Sequence, residues 1–174
     1  MALVTQRIRP HRRLGLSSTP TLQLNQVAGL TAAQGAPVYI DSNGYIAASP
    51  TDSLSSRQAV QAAGTGAIFG FLAEDGASDS SDTTKVAVVP ALPGMMFKGQ
   101  LIDTTSGSLT ASQMTDVGAH MGIGKLTGDT HYGVDKGAST SRDCVVVTEL
   151  IDASGTCGGL VGFVVRAGWR QIDE

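Results

Sequence analysis

A chain of 174 residues suits one domain, which can bury roughly 70% of the surface its unfolded form exposes, so folding requires no disulfide or metal staple. Charged residues make up 16% against a typical share near 25%, and 22 glycines favour turns over long helices; aromatics, at 5%, are too few for a face that stacks sugars or bases. The net charge of -3 hides an asymmetry: Arg7, Arg9, Arg12 and Arg13 precede the first acid, Asp41, and the remaining eight Lys and Arg face all fifteen acids, leaving the rest of the chain at -7.

Residues 1–21 hold those four arginines, Pro10 and Pro20, and scattered apolar residues of no sustained period. They predict an extended basic N-terminal arm, followed by a single β domain over 22–174 that ends in a short tail. Fully stretched, such an arm would reach on the order of 65 Å. Free arms are normally disordered, so an ordered one must be gripped, and the expected partner is another chain. The start lacks the apolar stretch of a secretory signal, and its Arg-rich, acid-poor character resembles an organellar transit peptide. No apolar run reaches the about 18 residues that a membrane-spanning helix needs.

From Gln26 the body begins. Pro37 to Ile40 and Tyr45 to Ala47 flank Asp41-Ser42-Asn43-Gly44, a hairpin in which Asn-Gly is expected to supply the positive φ angles of a tight turn. Thr51 to Ala63 reads either as a short helix capped by Asp52 or Ser53 and ending at Gly64, or as a long connection containing one strand. Ala67 to Ala73 predicts a buried strand in which Gly70 marks a bulge or close backbone approach. Asp75 to Thr84 is a polar loop whose aspartates depart from the calcium-loop pattern and lack its closing Glu.

Val86 to Val89, apolar on both faces, predicts an interior strand that Pro90 and Pro93 terminate. Met95 to Leu101 is the next strand, and Asp103 to Ser112 a polar excursion. Met114 to Gly118 forms a turn before Met121 to Ile123, and Lys125 to Val134 holds one or two strands broken at Gly128-Asp129. Cys144 to Ile151 and Leu160 to Ala167 close the series, with Val161, Phe163 and Val165 facing one way and Trp169 anchoring the tail. About eight short strands at intervals of roughly 8 to 15 residues point to an all-β fold, a small barrel or sandwich.

Chemistry-bearing patterns are sparse. Gly64-x-Gly66-x-x-x-Gly70 has the wrong final spacing for a phosphate loop and opens a strand, and Gly122-x-Gly124-Lys125 lacks the Ser or Thr after Lys. His11, His120 and His131 are too dispersed for local metal spacing, and no serine lies in a G-x-S-x-G elbow. Glu74 and Glu149 lie on separate strands with no groove aromatics beside them, which disfavours glycoside cleavage. Cys144 and Cys157 fit neither a redox pair nor a zinc cluster; two free buried thiols are expected, with a hairpin disulfide the alternative. The arginine cluster Arg7, Arg9, Arg12 and Arg13 is the one feature above background. Four arginines on an acidic body favour a protein target over nucleic acid. Each exposed Arg pair contributes about 0.2–1 kcal/mol, so affinity would come from many contacts or from avidity.

The hairpin A-P-V-Y-I-D-S-N-G-Y-I, then I-F-G-F-L-A-E-D, V-A-V-V-P-A-L-P-G-M-M-F and T-A-S-Q-M-T-D-V-G, within Gly35 to Val165, resemble the decoration or cement proteins of tailed-bacteriophage heads. The resemblance implies a β-barrel or β-tulip module on the capsid exterior. It would bind major capsid protein, often as a trimer, with a terminal arm lying across neighbouring subunits. It implies a virion structural protein, no enzyme, no cofactor and no membrane. The alternatives are a jelly-roll coat protein whose arm faces nucleic acid, a head-to-tail or tail component, and, from another class, a secreted carbohydrate-binding module or small hydrolase.

Overall fold

The computed structural model describes residues 4, 6–13, 19–48, 68–80, 84–137 and 143–171. They form twelve strands and two single-turn 3-10 helices, with no α-helix among them. The all-β architecture expected from the composition is what the chain adopts. The strands outnumber the expected eight in part because β1 and β8 are short or polar and carry no hydrophobic alternation.

The first sheet is built on β7 (Met95–Asp103), nine residues long. With β10 (Tyr132–Asp135), β9 (His120–Lys125), β11 (Val145–Leu150) and β12 (Leu160–Val165), it makes a ring that the β12–β7 pairing closes into a five-stranded barrel. Closure removes the unpaired edges that would otherwise template aggregation. β1 (Arg9–Arg13) and β8 (Ser108–Leu109) add to β7 outside that ring. The second sheet runs β2 (Leu22–Asn25), β6 (Lys85–Pro90), β5 (Gly70–Leu72), β3 (Pro37–Ile40), β4 (Ile46–Ala48). Its two ends approach through a parallel bridge between Gln26 and Ile46, with the Val27 N–H donating to the Ile46 carbonyl at 2.9 Å.

Both sheets bury their apolar faces in one core. Phe71 of β5 meets Phe97 of β7 and Phe163 of β12, with ring centroids 4.6 and 6.0 Å away, and Phe97 and Phe163 lie 5.9 Å apart. Aromatic contacts at these spacings add about 0.5–1.5 kcal/mol per pair beyond area burial. The second half of β7 is apolar on its other face too, because Ile102 joins Val4 and Leu126 in a separate small cluster.

Several sequence expectations need correction. The described part of the N-terminal arm is extended, but its own chain grips it: β1 lies antiparallel on Met95–Lys98 of β7, and Val4 and Ile8 are buried. Val4 and Ile8 looked scattered because they serve two different apolar clusters, and a bulge between Pro10 and Arg12 breaks the strand period. The hairpin of β3 and β4 forms as expected, yet only Gly44 has positive φ, at 84°. Asn43 needs none, because Asp41 Oδ1 accepts the N–H groups of Asn43 and Tyr45, each at 2.9 Å, in a longer Asx-type loop. Cys144 and Cys157 are both free, but only Cys144 is buried. The reading of Thr51 to Ala63 lies outside the described residues.

Elsewhere the pattern held. Gly70 lies where β5 meets β6, and a Cβ there would fall on the Val89 carbonyl oxygen. Trp169 is buried, and its carbonyl accepts the Ile68 N–H at 2.9 Å, which ties the tail to β5.

Candidate functional site

The four arginines have different environments. Arg7 precedes β1 and is half-buried. Its Nε–H donates to His131 Nε2 at 2.9 Å, one terminal nitrogen donates to Gln34 Oε1 at 2.7 Å, and the same nitrogen is 3.6 Å from Asp75 Oδ1. Arg7 therefore closes a clasp over the 126–131 turn, the loop at Gln34 and the loop at Asp75.

A second contact of the clasp lies nearby. The Val4 N–H donates to Asp129 Oδ2 at 2.6 Å, and the His131 N–H to Asp129 Oδ1 at 3.0 Å. Burial pushes the Asp129 carboxyl up, but donation from the backbone N–H groups of His131, Val4 and Thr130 outweighs this and holds it below its ordinary value. A carboxylate receiving several N–H donors is favoured in its charged form, so the turn is an anionic anchor for the N-terminal segment.

Arg9 is exposed and stands directly opposite Lys98 across the β1–β7 ladder. Side chains so placed share one face, and like charges there repel. The next residues across the same row are Gly162 on β12 and Glu149 on β11. His11, at the bulge, brings Nε2 within 2.9 Å of Glu149 Oε1. Gly162 leaves room for the Glu149 side chain, since a Cβ there would come 2.8 Å from the Glu149 Cγ. Arg12 and Arg13 follow the bulge and pair with Met96 and Met95.

A groove of about 420 Å³ opens beside β1, with Arg9 and Lys98 among its lining residues. A second, of about 410 Å³, lies by Leu30 and Tyr132, where the Lys125 ammonium is 5.7 Å from the Tyr132 ring centre. Among the described residues no group of three or more His, Cys, Asp or Glu is placed to hold a metal ion. The remaining buried polar groups act as braces. Asp116 pairs with the Lys136 ammonium at 2.7 Å, and Asp135 accepts the Thr104 hydroxyl at 2.5 Å and its N–H at 3.0 Å. Burial raises the Asp143 carboxyl above its ordinary value, with Arg166 and His120 opposing that rise.

The sequence singled out Arg7, Arg9, Arg12 and Arg13 as one cluster; the structure puts Arg7 to internal use and gives Arg9 a cationic neighbour in Lys98. Sequence reasoning missed Gln34, Asp75, Lys98, Asp129 and His131 as companions of the arm. No local signal could have found them, because Arg7 and His131 are 124 positions apart and meet only through the fold. No protein-family model and no curated protein matches this chain.

Proposed function

We propose that this chain is a non-enzymatic structural protein of a tailed-phage head. In this reading it is a decoration or cement protein that binds major capsid protein on the capsid exterior and oligomerises through its body, as a trimer. The observation that carries the reading is the placement of Arg9, Arg12 and Arg13 on β1, a strand at the end of its sheet. A basic edge strand on an otherwise acidic body offers backbone groups and cations to a neighbouring protein together.

The physical logic is that of distributed weak contacts. A shell under internal pressure gains resistance when many small interactions bridge adjacent subunits, and a closed barrel with a braced N-terminal strand presents such contacts without moving parts. Arg7 is spent on the internal clasp, so the partner-facing role begins at the exposed Arg9, with Arg12 and Arg13 following on the same strand. The acidic remainder of the chain repels phosphate, which favours a protein partner.

The test is co-sedimentation of the purified chain with expanded phage heads that lack it. The wild-type chain should saturate the heads at a fixed ratio to capsid protein. The triple variant Arg9→Ala, Arg12→Ala, Arg13→Ala should bind at least about tenfold more weakly while keeping its melting transition. Absence of wild-type binding to any head form would sink the reading.

A further inference from the structure

Resting on that reading of β1 as a partner-facing strand, we propose that the groove beside it is a docking site for an extended acidic segment of the capsid partner. Arg9 and Lys98 line the groove beside polar Gln34, while the lining residues Ile8, Leu72 and Val89 are almost wholly buried in the core. No Asp or Glu is among the described residues that line it. The nearest carboxylate along the row, Glu149, is engaged by His11.

Two cations held opposite each other on adjacent strands repel, and a carboxylate placed between them removes that repulsion. An extended peptide alternates its side chains at period two, so acids on alternate positions fall on one face, toward Arg9 and Lys98. Nucleic acid would also match the two cations, but it would meet the acidic body.

The experiment titrates the full chain, labelled with nitrogen-15, with acetyl-(Glu-Val)3-amide, with its Gln-Val counterpart and with hexathymidylate, following amide resonances. The acidic peptide should move the amides of Arg9, Lys98 and Thr21, and the Gln-Val peptide should bind at least about tenfold more weakly. Arg9→Gln with Lys98→Gln should lose at least about tenfold, and Arg9→Lys should stay within about threefold. Should the double neutral variant prove unstable, Arg9→Glu with Lys98→Glu supplies the reciprocal case and should instead prefer acetyl-(Lys-Val)3-amide.

Equal binding of the acidic and neutral peptides, shifts mapping to another face, or stronger shifts with hexathymidylate would each overturn the assignment. Head binding without peptide binding would overturn the groove and leave the decoration reading standing. Peptide binding without head binding would support the groove and remove the capsid as its partner.

Discussion

Arg7 and His131, 124 positions apart, meet through a 2.9 Å hydrogen bond in which the guanidinium Nε–H donates to the imidazole Nε2. The other ring nitrogen, Nδ1, lies 3.5 Å from Asp129 Oδ1 and 3.3 Å from Thr130 Oγ1. The ring so joins Arg7 to the turn that also holds the Val4 N–H. The N-terminal strand is thus secured by polar contacts at its base as well as by burial of Ile8.

Replacing Arg7 by Ala should loosen that strand more than the whole molecule. Hydrogen bonds to charged groups contribute about 1.5–3 kcal/mol, while the partly exposed pair with Asp75 adds less than about 1 kcal/mol. We expect a loss of about 1–2 kcal/mol and amide exchange at Ile8 and along β1 faster by about tenfold, measured by hydrogen–deuterium exchange. Unchanged exchange in β1 would show that apolar burial alone holds the segment.

Asp129 gives the clasp a pH dependence whose sign follows from its lowered titration. The folded state favours the carboxylate relative to the ordinary value of 3.8, so its stabilisation is present above that value and is lost as the pH falls below it. Urea unfolding at stepped pH should show the wild type losing stability on acidification. Asp129→Asn should begin less stable, by about 1–3 kcal/mol, and lose less over the same interval. Parallel curves for the two proteins would assign the acid sensitivity elsewhere.

Gly70 is a test of backbone approach. Gly70→Ala drives a methyl group onto the Val89 carbonyl oxygen, and relief requires β5 to move away from β6. The expected cost is about 1–3 kcal/mol. Gly168→Ala, where the new methyl meets open space, should change stability by no more than about 0.5 kcal/mol. Chemical denaturation of both variants checks the contrast.

The elements legible in the sequence share a physical property: β3, β5, β6, β7, β11 and β12 each bury β-branched or aromatic residues, so their apolar runs announce them. β1 is illegible because Arg-Pro-His-Arg-Arg has no alternation of apolar and polar side chains to mark it as a strand. Register was equally hidden. Nothing local to Arg9 says that it stands opposite Lys98, since that placement depends on where β1 meets β7 and on the bulge at His11. The arginine count was readable, but the division of labour between Arg7 and Arg9 required the partners the fold supplies.

The two thiols separate a packing argument from a composition argument. Both cysteines were expected to be buried, since free Cys is among the most buried residue types. Cys144 precedes β11 inside the core, whereas Cys157 sits in the exposed loop before β12, bridged to Ala111, with Sγ 3.7 Å from the Leu109 carbonyl oxygen. A thiol must be reached by solvent to react, and Cys157 is exposed where Cys144 is buried. An aromatic disulfide reagent should therefore label one thiol per native chain and two after denaturation, with Cys157→Ser removing the native signal. Two fast-reacting thiols in the native chain would mean that the core around Val145 and Val165 opens, contrary to the packing of β11 against β12.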